Sequence, residues 1–337
     1  MLSGKIWPAH PPPYPDELLS SWLVRLAHAN GLKVQTFCHH EFGIAHQVWN
    51  RDVDRLAPDW LLTRLKEGSG LPLDIVSGTT LIPYHGRLYH QRPLSGQLRW
   101  ILPLQLYHRK RQGFGLQYCP HCLAEDTEPY FRRVWRVALY TFCQKHNVML
   151  LDRCPVCGSG VAFHRLELGQ PKQVTINSLS VCSSCGFDLR QAPTAPVNIW
   201  DEQVFAMWRQ SLKLITHASM VKNFIDFTCL DVLHHFCGLC VSRRMALKLH
   251  AYLCQCANIP EIAFTEGRVS FEQRPLVERH HVIGLAWWLL GQCPSRLQEA
   301  HKQRVVRYNV LMKDFDESPN WYSQVVLKLK KDARLNL

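Results

Sequence analysis

Four pairs of soft ligands, each pair separated by two residues, constrain this chain more than any other feature. They are Cys119-Pro120-His121-Cys122, Cys143-Gln144-Lys145-His146, Cys154-Pro155-Val156-Cys157 and Cys182-Ser183-Ser184-Cys185. Two ligands at this spacing can meet one ion from a tight turn. Gly158 and Gly186 follow the second cysteine of their pairs and permit the positive φ that such knuckles favour. Two pairs close a tetrahedral site with no open position, so the metal expected is structural. In chain order, Cys119, Cys122, Cys143 and His146 form a site of three cysteines and one histidine, with twenty residues between its halves. Cys154, Cys157, Cys182 and Cys185 form an all-cysteine site with twenty-four. An interleaved pairing would close loops of thirty-one and thirty-five residues, and loop-closure entropy favours chain order. The cofactor this predicts is Zn2+, two structural ions for the eight ligands.

The alternative is a set of buried reduced thiols, which four evenly formed pairs disfavour. The chain has fourteen cysteines, so seven lie outside the pairs: Cys38, Cys229, Cys237, Cys240, Cys254, Cys256 and Cys293. Cys237, Cys240, Cys254 and Cys256 leave a third metal site open. They fall in apolar helical sequence without knuckle glycines, however, and core thiols are the expectation. No apolar stretch near the N-terminus is long enough for a signal peptide. The most apolar run, residues 282–290, is about half the length that spans a bilayer. The expectation is a cytoplasmic protein with no membrane partner, whose cysteines are thiols or ligands rather than disulfides. A catalytic zinc would need an open position and a base. No His-Glu-x-x-His motif occurs, and His39-His40-Glu41 lacks the Pro-Cys-x-x-Cys partner of a deaminase. His39 and His40 are expected as exposed helix residues, and no catalytic residue is assigned.

Three regions separate along the sequence: 1–112, 113–197 and 198–337. In the first, Leu18, Leu19, Trp22, Leu23, Leu26 and Ala27 have helical spacing, and Asn30-Gly31 ends the helix. A second helix over residues 34–42 stops at Gly43, giving a helix, glycine turn, helix pattern. Pro58-Asp59 opens another helix, and residues 71–81 suggest one further helix pair. The middle region holds the ligand pairs. The last reads as helices over 200–214, 226–236, 242–253 and 275–290. Ser295 with Gln298 reads as a capping box opening a helix that runs to Val306, and Ser318-Pro319 opens the last. The fold class expected is mainly α, with helix-turn-helix modules flanking a tandem zinc-knuckle or ribbon region.

Lysine and arginine exceed aspartate and glutamate by 39 to 27, a surplus of +12, which suits a polyanionic partner. Residues 75–124 contain no acid, and Tyr84, Tyr89, Trp100, Tyr107 and Phe114 are interleaved with basic residues. That run suits phosphate contact with stacking support, or a solvated loop surface. Candidate nucleic-acid or partner contacts are Arg109, Lys110, Arg111, Arg132, Arg133, Arg296, Lys302 and Arg304.

Together these residues resemble the TniQ/TnsD family of transposon target selectors. The segment from Pro15-Asp16-Glu17-Leu18-Leu19-Ser20-Ser21-Trp22 through Asn30-Gly31 looks like that family's opening helix. The run Tyr118-Cys119-Pro120-His121-Cys122, Tyr130, Arg132, Trp135, Cys143, His146 and Cys154-Pro155-Val156-Cys157 looks like its zinc region. Trp288-Leu289-Leu290-Gly291 with Pro294 and Leu297 resembles a weaker C-terminal element. The resemblance implies a non-catalytic adaptor that marks an integration site on target DNA and recruits an AAA+ ATPase transposition regulator. The chain length suits bacterial members that dimerise and dock on a Cascade-type CRISPR effector with its crRNA. The other branch reads an attachment sequence in DNA directly. Its candidate recognition helices here are residues 34–42 and 295–306, the latter carrying Arg296, Gln298, His301, Lys302, Gln303 and Arg304.

Overall fold

The computed structural model describes residues 6–107, 110–111, 113–168, 178–217, 227–242, 246–267, 269–313, 315 and 318–335. It divides into two compact units, Met1–Val197 and Asn198–Leu337; residues 1–112 and 113–197 both lie inside the first. Among the described residues the structure is mainly helical. Its only named strands are two-residue pieces: β1 (Leu106–Tyr107) with β2 (Lys110–Arg111), and β3 (Phe142–Cys143) with β4 (Val148–Met149), both antiparallel. Among those residues no helix is long and apolar enough to cross a membrane.

The first unit is built on α1 (Leu19–Ala29), in which every residue through Ala27 is buried. An amphipathic helix hides one stripe, whereas α1 is covered all round and must be enclosed by other segments. Residues 6–14 form one such cover. Trp22 donates its indole N–H to the Pro11 carbonyl at 2.9 Å. Asn30, at the C-cap, exchanges two hydrogen bonds with the backbone of Ala9. Beyond Gly31, whose φ of 68° turns the chain, α2 (Val34–Phe42) packs on α1 and stops at Gly43. The helices α3 (Val53–Leu56), α4 (Asp59–Ser69) and α5 (Leu73–Gly78) follow. The helix pair expected over 71–81 is a single short helix, with only a 3-10 turn at Ile82–Tyr84. Pro72 and Pro83 bracket it, and neither can donate a helical hydrogen bond.

Buried charge joins these helices to the segment that carries the ligand pairs. Arg136 is fully buried and donates to Asp52 at 2.6 Å, to Asp54 at 3.0 Å and to the Leu102 carbonyl at 2.9 Å. Asp54 in turn accepts from the backbone N–H of Ser20 at 2.7 Å and from its hydroxyl at 3.1 Å. Glu17, also buried, accepts from the Tyr14 N–H, the Ser21 hydroxyl and the Arg25 guanidinium, the last at 2.6 Å. Burial pushes the Glu17 carboxyl up to about 7, with Arg25 acting in the opposite sense.

The second unit is a helical bundle around α10 (Leu276–Gly291), which packs against α7 (Glu202–His217), α8 (Thr228–Val241) and α9 (Ala246–Ala257). Close approach is built in. A Cβ on Gly291 would lie 2.5 Å from the Met207 methyl, so that position tolerates only glycine unless Met207 shifts. α11 (Ser295–Lys302), α12 (Tyr308–Leu311) and α13 (Asn320–Leu335) complete the unit, and the Tyr322 hydroxyl ties α13 to the Leu311 carbonyl at 3.0 Å. The capping box expected at Ser295 does not form: Pro294 is the N-cap, and Ser295 already lies in the first turn. A capping box forms instead between Ser270 and Gln273, at a 3-10 turn before α10. The helix at 295 also ends at Lys302, short of the expected Val306.

Removing one partner of a buried ion pair leaves an uncompensated charge in the interior. Arg136→Met should therefore destabilise the first unit by about 3–5 kcal/mol, measured by chemical denaturation of the full chain. A second expectation concerns pH. With its folded pKa raised from 4.5 to about 7, Glu17 contributes most to stability below pH 4.5, and that contribution is lost as pH rises through 7. The stability of the parent chain relative to Glu17→Gln should accordingly fall between pH 4.5 and 7; an unchanged difference across that window would contradict a raised pKa.

Candidate metal centres

The eight ligand-type residues come together in two clusters, in chain order: Cys119, Cys122, Cys143 and His146, then Cys154, Cys157, Cys182 and Cys185. Either cluster could hold a metal ion. Bond lengths of about 2.3 Å to sulfur and 2.0–2.1 Å to nitrogen give tetrahedral edges of about 3.8 Å between sulfurs and about 3.5 Å between sulfur and nitrogen. In the first cluster His146 Nδ1 lies 3.4 Å from each of the three sulfurs, and Cys122 and Cys143 are 3.6 Å apart. In the second, Cys154 and Cys185 are 3.6 Å apart, and Cys157 and Cys182 3.7 Å. Four soft donors with tetrahedral edges are what a closed Zn2+ site requires.

Local backbone explains each half. In the second cluster Gly158 and Gly186 adopt φ of 71° and 76°, and each N–H bonds back to the carbonyl of the first cysteine at 2.9 Å. The first cluster is built differently. Cys119 is the N-cap of α6 (Pro120–Glu125), so Cys122 sits one turn inside a short helix. Cys143 ends β3, and Asn147, with φ of 53°, takes the left-handed position and donates to the Cys143 carbonyl at 2.9 Å. Asparagine tolerates that region better than other residues with a Cβ.

A residue outside the four pairs completes the first centre. Glu125 accepts from His146 Nε2 at 2.9 Å and pairs with Lys145 at 2.5 Å. With Nε2 carrying the proton, the Nδ1 lone pair is left for an ion, an outer carboxylate–histidine arrangement common at metal sites. The hydrogen bond with Lys145, then that with His146, holds the Glu125 carboxyl below its usual range. Hydrogen bonds from Cys119 and Cys122 draw the Cys143 pKa far down, and the Ser159 hydroxyl lowers Cys157 to about 6. His121, inside the first pair, is exposed and bonds to the Thr194 hydroxyl at 3.2 Å rather than joining the cluster.

Three of the five aromatic residues named in the acid-free run, Tyr84, Tyr89 and Trp100, are core rather than stacking platform, and the side chain of Tyr107 lies outside what is described. Phe114 is partly exposed, but the Arg153 guanidinium lies over its ring at 3.7 Å. Arg132 is bound to Asp126 through two hydrogen bonds and Arg133 to Asp16 at 2.9 Å, so both charges are neutralised within the unit. Lys110 and Arg111 form β2, and Arg109 lies outside the described residues. In the second unit Arg296 stacks on Trp288 at 3.6 Å and donates to its carbonyl. Lys302 and Arg304 are exposed, with Glu299 3.8 Å from Lys302. His39 and His40 are exposed on α2, as their position suggested.

Cys237 and Cys240 are buried in α8, whereas Cys256 is exposed. Cys256 thus departs from the core-thiol expectation, whereas Cys254 is buried and also meets His250 and His281 in a third cluster, without the other three cysteines. The signal in the sequence was the four-residue step from His250 to Cys254, which sets both on one face of a helix.

Residues 8–150 match the TniQ family model. The matched stretch begins in the proline-rich segment covering α1 and takes in the whole first cluster, ending before Cys154. The likeness to the TniQ domain thus covers less than half of the chain, all of it inside the first unit. No curated protein matches the chain.

The two centres differ in access. Three cysteines of the first are buried, whereas Cys157 and Cys185 of the second are exposed. A chromogenic chelator added to the metal-loaded chain should therefore strip the second centre first. Cys154→Ser should remove the fast phase of metal release and Cys119→Ser the slow one; loss of the slow phase alone in Cys154→Ser would reverse the assignment.

Proposed function

We propose that this protein is an adaptor for RNA-guided DNA transposition, joining a Cascade-type CRISPR effector with its crRNA to an AAA+ ATPase transposition regulator at target DNA. The reading rests on one observation above all: the TniQ match spans α1 to α5 and the first metal cluster, which the buried Arg136 network ties into one unit. An adaptor catalyses nothing and has to hold separate recruiting surfaces in fixed relation. Cross-links through metal and buried charge suit that task better than a hinge. Zn2+ is the ion proposed for both centres; when bound it supplies four-coordinate cross-linking and no reactive water, because each donor set is closed.

In this reading residues 1–112 and 198–337 are helix-turn-helix-like regions on either side of the tandem zinc region, 113–197. The protein works as a homodimer in the bacterial cytoplasm. The resemblance of its opening helix and zinc region to the TniQ/TnsD family supports these assignments. The partner contacts proposed are exposed side chains: His39 and His40 on α2, the Pro155-Val156 tip in the second cluster, Lys302 at the end of α11 and Arg304 just beyond it. Arg109, Lys110 and Arg111 remain proposed phosphate contacts on the strength of their charge.

A second reading has the chain read an attachment sequence in DNA directly, and the exposed Lys302 and Arg304 favour it. Two measurements on the full chain separate the readings. Co-purification with a guide-RNA effector, without tight sequence-selective filter binding to duplex DNA, is the expected result. Selective duplex binding by the isolated protein, with no effector retained, would replace the first reading with the second.

A further inference from the structure

We propose that His250, Cys254 and His281 form a third transition-metal site, of the zinc class, that cross-links α9 to α10 in the second unit. The three donor atoms converge. Cys254 Sγ lies 3.5 Å from His250 Nε2 and 3.5 Å from His281 Nε2, and the two imidazole nitrogens are 2.9 Å apart. His250 and Cys254 are buried and His281 is half-buried, so the cluster is built into the packing of the two helices yet open to an entering ion on one side. His280 does not compete: its ring faces Phe205 and Trp208 of α7, which leaves its neighbour directed at α9.

Hydrogen bonding alone satisfies this triangle poorly. A neutral imidazole Nε2 carries either one proton or one lone pair. If His250 donates to His281, the single lone pair of His281 is taken and the thiol proton has no acceptor at either ring. One cation accepts all three lone pairs at once. The sulfur–nitrogen edges already match the tetrahedral value of about 3.5 Å, and the two nitrogens need to part by about 0.4 Å to reach the corresponding edge. The same chain reaches comparable edges, 3.4–3.7 Å, in its two four-ligand clusters. The exposed Glu261 carboxylate acts electrostatically on both His250 and Cys254, which adds to the attraction for a cation. With three protein donors, the fourth position is left to water.

The site adds to the proposed function without depending on it, since it lies outside the matched residues 8–150. The test is metal stoichiometry of the full chain, equilibrated with zinc chloride, passed through gel filtration and analysed by mass spectrometry of the metal. Three equivalents are expected, one for each cluster. His281→Gln and Cys254→Ser should each bind one fewer, and a paired Cys154→Ser, Cys157→Ser variant should lose its own equivalent while keeping the one in the second unit. A parent chain with two equivalents, unchanged by His281→Gln, would overturn the proposal; so would three equivalents that survive both substitutions. Should either variant aggregate, cobalt titration of the metal-stripped parent decides. A third equivalent with the weak thiolate band of a single sulfur ligand supports the site, and saturation after two tetrahedral sulfur-rich equivalents overturns it.

Discussion

In the first unit, the buried Arg136 is the node where segments distant in sequence are tied together by charge. Its guanidinium is fully buried and meets two carboxylates and a carbonyl from segments distant in sequence, residues 52, 54 and 102. Asp54 passes the link on to the N-terminal turn of α1 through Ser20. Arginine suits such a node because its planar fork offers several fixed donors and keeps its charge when desolvated. A buried pair of this kind adds little net stability over well-packed hydrophobes, yet it is unforgiving of any other arrangement. What it contributes is register: it fixes where the Arg133–Arg136 turn, between the two halves of the first metal cluster, sits against α1.

That tie has a counterpart in the metal clusters. Between α6 and the end of the unit the regular structure is slight: β3 and β4 are two residues each, and the rest of what is described is 3-10 helices of three or four residues, turns and isolated bridges. Hairpins this short are at best marginal in water. The first cluster joins the N-cap of α6 to the turn after β3, and the second joins two glycine turns. Each cluster thus stands where a larger protein would place a sheet or helix pair. The second unit, with long helices around α10, has no such shortage. A metal there would not build the fold but fix two helices against each other, and its donors accordingly come from helix faces rather than turns.

Much of this was legible in the sequence where chemistry is local. The helices over 34–42 and from 59 have the expected starts, because proline, glycine and apolar spacing act within a few residues. The ligand pairs come together in chain order because short loops close most easily. What could not be read was long-range. Nothing near Arg133 signals that Asp16, over a hundred residues away, will claim it, and nothing in the acid-free run distinguishes buried Tyr84, Tyr89 and Trp100 from exposed stacking residues. The third cluster was half visible. His250 and Cys254 share a helix face by spacing alone, but His281 is brought in only by the packing of α9 on α10. Ser295 failed as a cap for a local reason, since Pro294 had already taken the position before it.

The inward pairing of arginines bears on how the protein would meet a polyanion. Arg25, Arg132, Arg133, Arg136 and Arg274 each hold a carboxylate within the structure. Such contacts occupy carboxylates as well as guanidinium groups, two carboxylates each at Arg25 and Arg136. The net surplus of the full sequence remains +12. A surface of this kind attracts phosphate over several ångströms without needing a preformed cleft, and salt weakens that attraction because the charges are solvated. In the proposed adaptor, a charge of this kind would give attraction to phosphate without selectivity, which the proposed partners would have to supply.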